Sequence, residues 1–563
     1  MLEKIKEKLI QISNKELFRT LYSYSKGYRL KIIYITILSA INSLTTIGIA
    51  LLTKSIIDSA ISKDLSSTYT LGSIVVIGLI FKLILSKYTM VYSTKIGETM
   101  FNDLQHRTIK TFYNNQWLFM SQFKTGDLIT RSGNDVSKIT GILMSTFPTI
   151  VSLLAQLITA FIILSSYDKT IAFIAFILGP ATVSISWVLG HKLKELQAVI
   201  QESISELNSY ITESIQNMDL IQSFDIKEEA LDKLEKLQDR KRTLIYKKAI
   251  FTAITKGIID FGFTIGFLGA TLLGAYKLYQ GVISFGTFTA FSQLVTHIQS
   301  PIYGLSKTIP SIITVLSSVE RVIVFNENST ETPDTSLELQ PNELMSLQFD
   351  NVSFYYEKDK IILDKLDLSI NVGDKIALIG TSGEGKTTIL RLVMALLEPS
   401  SGEVKLNCMS GSVPITSETR KYFSYVPQKN SLFSGSIIDN LLLANKNASK
   451  EIIEKALKSA CIYDFIISLP NGVNTLVGER LGGLSEGQAQ RICIARALVH
   501  NTPFLILDEA TSALDTETEK CIINNISKNY TSKSLVVVTH KTEILNYCNH
   551  IYKLDNKKTT KVR

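Results

Sequence analysis

Six stretches of this chain, at residues 32–57, 69–92, 141–166, 170–189, 250–279 and 287–317, are apolar for long enough to cross a lipid bilayer. A hydrocarbon core of about 30 Å takes roughly 20 residues of helix. No water inside it can pair with backbone N–H and C=O groups, so apolar segments of this length fold as helices, which satisfy the backbone internally. All six lie before residue 325. The first half is therefore expected to be an all-α transmembrane domain of six helices with the lipid bilayer as its solvent.

The segments between the spans are of two kinds. Residues 58–67, 167–169 and 280–286 are short and carry few cations, whereas 1–31, 95–138 and 191–248 are long and rich in Lys and Arg. The positive-inside rule puts the second set, with both chain ends, in the cytoplasm. An even number of spans demands the same. Much of the net charge of +8 lies in these loops, which accounts for it without a nucleic-acid partner. Residues 1–29 lack the apolar core and small-residue cleavage site of a signal peptide.

Beyond residue 325 the composition becomes that of a soluble α/β domain. Residues 326–342 are polar, hold Pro333 and Pro341 and read as a linker, which leaves a membrane part at 1–325 and a second domain at 343–563. Cys408, Cys461, Cys493, Cys521 and Cys548 all fall in that domain, with no CxxC pair and no zinc spacing. Such a set fits a reducing cytosol and not a disulfide framework.

Within the second domain, Lys375-Ile376-Ala377-Leu378-Ile379 reads as a strand, Gly380-Thr381-Ser382-Gly383-Glu384-Gly385-Lys386-Thr387 as a complete GxxxxGK(S/T) loop, and residues 387–396 as a helix that also holds Thr388. Strand, loop and helix in this order make a nucleotide phosphate site. The glycines let backbone N–H groups converge on phosphate oxygens, and the helix N-terminus adds the positive end of its dipole. Lys386 brings a point charge to the β- and γ-phosphates of ATP and Thr387 a hydroxyl to Mg²⁺. Farther on, Phe504-Leu505-Ile506-Leu507 is a buried-strand pattern ending in Asp508-Glu509, and Leu484-Ser485-Glu486-Gly487-Gln488 stands between.

Phosphate loop, LSxGQ segment and apolar strand with two acids, in that order, resemble the ATPase domain of an ABC transporter, and LSxGQ is the discriminating element. The resemblance implies an α/β phosphate-loop ATPase fold of the ABC type and a set of roles. Asp508 holds Mg²⁺ through water, and Glu509 polarises the attacking water as general base. Gln428, in Tyr425-Val426-Pro427-Gln428, matches the glutamine that reaches Mg²⁺ and that water. His540, after the β-branched run 535–538, matches the histidine that contacts the γ-phosphate. Tyr356 matches the aromatic that stacks on adenine, with Tyr355 as its rival; Tyr356 shares a strand face with Phe354. Ser485, Gly487 and Gln488 close over the phosphate loop of a second ATPase domain, so a complete site takes a dimer.

The membrane half carries the rest of the resemblance. Gln116-Trp117-Leu118-Phe119, Thr125-Gly126-Asp127 and Asn134-Asp135-Val136 in one long loop, residues 213–224 in the other, and Ser318-Val319-Glu320-Arg321-Val322 after the last span resemble the intracellular loops of six-span ABC exporters. The order of membrane half then ATPase half is similar to that of exporters. What it implies is ATP-driven export by a half-transporter acting as a homodimer or as a heterodimer with a second half-transporter; an ATP-gated channel or regulatory module is the alternative. Two departures bear on the dimer. Glu486 replaces the glycine of LSGGQ, and Leu481 stands where a glycine follows Gly478-Glu479-Arg480. The C-terminal helix usual in the family is expected to be missing or very short, and no leader-peptidase domain is expected.

Peptides, lipids and amphiphilic small molecules are all possible cargoes. Lys82 interrupts an apolar span ~16 Å from its outer end, and Gln156 and His297 fall ~15 Å deep, at 1.5 Å per residue. Groups of this kind mark a pathway or cavity, or else serve as packing devices. Lys256 and Asp260 lie one turn apart and are positioned to pair, with Lys87 as a competitor for the same acid.

Overall fold

The computed structural model describes residues 14–327, 343–357, 360–381, 383–428, 431–478 and 483–563; the side chains of 14, 178–183, 185–191, 194, 309, 310, 326 and 327 lie outside the description. The chain divides into two compact units, Met1–Phe112 with Lys124–Glu327, and Tyr113–Phe123 with Asn328–Arg563. The predicted linker falls mostly outside the described residues, at 328–342.

The helices before residue 328 are α1 (Asn14–Tyr24), α2 (Arg29–Ile61), α3 (Leu65–Asn114), α4 (Trp117–Met120), α5 (Thr125–Thr130), α6 (Val136–Gly141), α7 (Phe147–Tyr167), α8 (Lys169–Gln216), α9 (Met218–Ser223), α10 (Lys227–Tyr279) and α11 (Phe285–Glu327). Among the described residues, five helices are long and apolar enough to cross a membrane: α2, α3, the continuous run Thr125–Tyr167, α10 and α11. The sixth expected span, 170–189, falls within α8, where many side chains are outside the description. α3, the run Thr125–Tyr167, α10 and α11 continue well past their apolar parts, as the charged loops suggested.

Short polar turns separate the helices at one end. Asp168 caps α8 by accepting from Thr170 N and Ile171 N at 2.9 and 3.0 Å, which satisfies two of the backbone donors a helix N-terminus leaves open. Asp58 of α2 accepts from Gly286 N at 2.9 Å at the start of α11. A Cβ on Gly286 would lie 2.4 Å from Asp58 Oδ1 and 2.5 Å from Lys54 O, so this approach needs glycine. Inside the unit, Ile47, Ala160, Leu164, Ile171, Ala175, Ala270, Phe291 and Leu294 form one apolar core. A second gathers Leu17, Ile35, Met100, Val136, Ile139, Val319 and Val322. Four alanines in the first core, Ala160, Ala172, Ala175 and Ala270, let helices approach closely. By contrast none of the most apolar window of α3 is buried, and Ile77, Leu83 and Ile84 stand exposed. A face of that kind is costly in water and at no disadvantage in lipid.

Two π-helical turns, Arg131–Asp135 and Ile142–Thr146, interrupt the run Thr125–Tyr167. The first delivers Asp135, wholly buried, to Arg321 of α11, which donates from Nε at 2.8 Å and from Nη2 at 2.6 Å, while Ser318 Oγ donates at 2.9 Å. A buried carboxylate needs such partners. The two motifs that flank the long loop and the last span thus meet. Lys256 and Asp260 form no ion pair among the described residues. One helical turn permits that contact without requiring it.

In the second unit, the main sheet has the order β12-β11-β3-β10-β9-β6. Its strands are β3 (Lys375–Ile379), β6 (Phe423–Val426), β9 (Phe504–Asp508), β10 (Ser534–Val538), β11 (His550–Asp555) and β12 (Lys558–Lys561), parallel except for the β11–β12 hairpin. Every residue of β9 and β10 is buried, as parallel strands covered on both faces require. An antiparallel sheet of order β2-β1-β4-β5 comprises β1 (Leu344–Glu357), β2 (Lys360–Asn371), β4 (Ser401–Cys408) and β5 (Gly411–Pro414). The helices that matter for the site are α12 (Lys386–Val393), α13 (Glu486–His500) and α14 (Thr516–Asn529). α12 ends three residues short of the expected 396, since Ala395 turns left-handed at φ +49°. The last described element is the strand β12.

Candidate functional site

Parallel strands β3 and β9 deliver the loop after β3 and the acids after β9 to one sheet edge. Gly380, Gly383 and Gly385 have φ of +157°, +90° and +107°, a backbone only glycine adopts freely. A Cβ on Gly385 would come within 2.9 Å of Ile362 Cγ2, whereas one on Gly383 would meet nothing within 4 Å, so the loop opens outward there. Lys386, 5% exposed, donates to Gly380 O at 2.7 Å and Thr381 O at 2.9 Å. No carboxylate pairs with it among the described residues. A buried ammonium with only carbonyl partners, beside an open glycine concavity, fits an anionic phosphate chain. Glu384 folds back and accepts from Thr381 N at 2.9 Å and Thr381 Oγ1 at 2.7 Å, closing the outer side of the loop. Ser382 lies outside the described residues.

Asp508, 3% exposed, accepts from Thr387 Oγ1 at 3.4 Å and from Tyr425 OH at 3.1 Å. Burial raises its pKa, and the neighbouring Glu509 charge adds to that, against the two hydrogen bonds. Thr387 and Asp508 are hard oxygen donors of the kind Mg²⁺ takes, and a divalent ion would relieve the burial of that carboxylate. Glu509 follows at φ +50°. Gln428 Nε2 donates to its Oε2 at 2.6 Å, and His540 Nε2 lies 3.2 Å from its Oε1. Two residues, 81 and 31 positions away from Glu509 in the chain, therefore converge on its carboxylate.

Tyr356 leaves β1 with its ring edge-on to Phe354 at 4.9 Å. Its hydroxyl is 3.3 Å from Thr388 Oγ1 and accepts from Arg391 Nη1 at 3.0 Å. These contacts put Tyr356 against α12 beside the phosphate loop. Ser485 and Gln488 bond to each other: Gln488 N donates to Ser485 Oγ at 3.2 Å and Ser485 N to Gln488 Oε1 at 2.8 Å. This capping box starts α13. Among the described residues no hydrogen bond joins them to the phosphate loop. Gly487 packs on the loop 510–514, where a Cβ would stand 3.0 Å from Ala513 O. Glu486 is exposed; Glu479, Arg480 and Leu481 lie outside the described residues.

In the membrane unit, Ser43 Oγ donates to Gln156 Oε1 at 2.9 Å, and Gln156 Nε2 meets His297 Nδ1 at 3.3 Å. Ser43, Gln156 and His297 sit on α2, α7 and α11, so two of the three predicted mid-span polar groups touch. Lys82 of α3 is half-buried.

Three further residues escaped sequence reasoning. Tyr425 holds Asp508, though it stands three positions before Gln428. Lys541, next to His540, donates to Thr511 O at 3.4 Å and Leu514 O at 3.0 Å and pairs with Glu519 at 2.9 Å. Arg391 Cζ lies 4.5 Å over the ring of Trp117 in α4, whose segment clusters with this unit. The helical spacing of Thr387, Thr388 and Arg391 was the available signal for the last. Nothing in the sequence signalled the other two.

A transmembrane helical domain fused to an ATPase unit with this phosphate loop defines an ABC-type ATPase joined to a membrane domain. The model for the ABC transporter transmembrane region matches residues 32–302, and that described as ABC transporter matches 363–512. The chain belongs to the ABC transporters, with a transmembrane region and an ATPase domain fused in one chain. It is 37% identical over 287 residues to the alpha-hemolysin translocation ATP-binding protein of Escherichia coli, covering 51% of this chain and 40% of that one. It thus spans about two fifths of that relative's length. It is 28% identical over 557 residues to a protein of Rickettsia felis described as an export ATP-binding/permease protein, covering 96% and 94% of the two chains. Its fold matches a bacterial Atm1-family ABC exporter with ATP bound at TM-score 0.82, 21% identity and 95% coverage of each chain.

Proposed function

We propose that this chain is half of an ATP-driven exporter, which pairs with a second copy of itself and moves an amphiphilic cargo out across the cytoplasmic membrane. The observation that carries the reading is the convergence of Gln428 and His540 on Glu509, beside Asp508 and Thr387, in a chain whose other half is solvated by lipid. Glu509 takes the proton of the attacking water, with Gln428 and His540 holding its carboxylate and then the water and γ-phosphate. Lys386 and the glycine-loop N–H groups hold the phosphates, and Tyr356 supports adenine. Thr387, Asp508 and Gln428 are the groups that would hold Mg²⁺, which when bound neutralises phosphate charge. Ser485, Gly487 and Gln488 complete the partner copy's site. Lysine- and arginine-rich helix extensions favour a cytoplasmic ATPase unit and N-terminus.

For cargo, the hydrogen-bonded Ser43, Gln156 and His297 with Lys82 near by favour a molecule with an apolar body and an anionic group, such as a lipid phosphate or peptide carboxylate. The test is the purified chain in proteoliposomes, with ATP added at the exposed ATPase face and a fluorescent anionic lipid or acidic amphiphilic peptide as probe. ATP-dependent accumulation against a gradient is expected. Lys82→Met should lose accumulation while basal ATPase persists. ATP-dependent leakage that only runs down a gradient would instead identify an ATP-gated channel.

A further inference from the structure

All five cysteines are free thiols, but two of them, 60 positions apart, meet. Cys461 Sγ and Cys521 Sγ are 2.9 Å apart. Asn525 Nδ2, one turn beyond Cys521 on α14, lies 3.4 Å from the first sulfur and 3.6 Å from the second. Asn529 Nδ2 also donates to Ser459 Oγ at 3.1 Å, so the two segments are already fastened beside the thiols. Cys461 holds φ +52°, a left-handed backbone that turns its side chain back toward α14. Cys521 is exposed and Cys461 half-buried, so a small oxidant reaches the pair. The catalytic chemistry uses neither residue.

We propose that Cys461 and Cys521 are a redox pair, which hydrogen peroxide or a disulfide oxidant such as oxidised glutathione closes into an intrachain disulfide that slows ATP turnover. With peroxide, the Cys521 thiolate attacks one oxygen and becomes a sulfenic acid, and the other oxygen leaves as water after taking a proton. Cys461 sulfur then attacks Cys521 sulfur, loses its proton, and expels the sulfenic oxygen as a second water. Two thiols and one peroxide give one disulfide and two waters, with two electrons passing from sulfur to oxygen. Cys521 acts first because it is the exposed sulfur of the two, the one an oxidant in solution meets. Burial, with the hydrogen bond to Cys521, pushes the Cys461 thiol up to about 12, and burial is the larger cause.

The location explains the effect on turnover. Cys461 O accepts from Arg491 Nη1 at 2.6 Å, and Arg491 belongs to α13, whose first turn is the Ser485–Gln488 box. Cys521 belongs to α14, which begins directly after the loop 510–514 that follows Glu509. Gly487 and Gln490 of α13 touch that loop at Ala513, the latter by accepting from Ala513 N at 3.2 Å. A covalent link between the two segments would clamp the elements on either side of the loop, and movements of that kind set many turnover rates.

The experiment uses the full chain in nanodiscs, exposed to hydrogen peroxide or to oxidised glutathione, with free thiols then alkylated and mapped by mass spectrometry. Expected are a Cys461–Cys521 linked peptide, continued alkylation of Cys408, Cys493 and Cys548 after denaturation, and a fall in ATPase of roughly threefold or more that dithiothreitol reverses. Cys461→Ser and Cys521→Ser, made separately, should keep their ATPase through the same treatment. Both thiols staying free after oxidation would overturn the pair. A disulfide without loss of turnover, or equal inhibition of the serine variants, would overturn the clamp.

Discussion

Glu509 is held at φ +50°, where residues other than glycine are uncommon. The surroundings maintain it: its N–H donates to Val538 O at 3.1 Å, and its carboxylate is held from two sides. Glu509→Gln should keep ATP binding, because Lys386, Thr387 and Asp508 are untouched, and should lower turnover by about 10²–10⁴-fold. A variant retaining more than about a tenth of wild-type turnover would refute the role of general base. Lys541 poses a related test. Glu519 is 1% exposed, and removing the partner of a buried charge costs about 3–5 kcal/mol. Lys541→Met should therefore lower both the melting temperature and the ATPase. Lys541→Met with Glu519→Gln should recover the melting temperature and not the ATPase, because the carbonyls of Thr511 and Leu514 remain without their cation. Recovery of both would show that Lys541 serves stability alone.

Among elements, α4 is only Trp117–Met120, too short to be stable by itself. Trp117 and Leu118 pack at the apolar core that holds Leu363, Leu390 and Leu392, and Gln116 Nε2 donates to Glu398 Oε1 at 3.1 Å. The ring of Trp117 lies under Arg391, whose other partner is the hydroxyl of Tyr356. One guanidinium therefore links this short helix to the aromatic proposed for adenine. A cation–π contact and a hydrogen bond together are worth about 1–2 kcal/mol. Arg391→Ala should raise the KM for ATP by roughly three- to tenfold with a smaller change in kcat. An unchanged KM would mean that Arg391 does not position Tyr356. The motif around Trp117 was legible as a loop feature and the helical spacing of Arg391 was available, but their contact was not, because a contact across 274 positions leaves no local pattern.

For the whole molecule, the question is what completes the ATP site. Ser485 and Gln488 satisfy each other at the start of α13, and Glu486 projects into solvent beside them. With two identical chains, Glu486→Gly should keep or modestly raise ATPase, by removing a carboxylate from the neighbourhood of an anionic γ-phosphate. Cooperative ATPase from the chain purified alone is expected. A nearly inactive purified chain would point to a different half-transporter as partner.

What the amino-acid order determined alone is whatever depends on local pattern. Long apolar runs require membrane helices because unpaired backbone is intolerable in lipid, and five of them are seen among the described residues; the phosphate loop requires its glycines because of φ. Strand β3 was legible over its full length at 375–379, and β10 nearly so, since a buried parallel strand reads as an unbroken apolar run. Tertiary structure alone decided which distant groups meet: Asp135 with Arg321, Tyr425 with Asp508, Lys541 with the loop 510–514, Gln156 with His297 and Cys461 with Cys521. Each of these contacts joins groups from separate elements or their connecting loops. Their distance is set by how those elements pack, and packing depends on the summed shape of many side chains rather than on any short stretch of sequence.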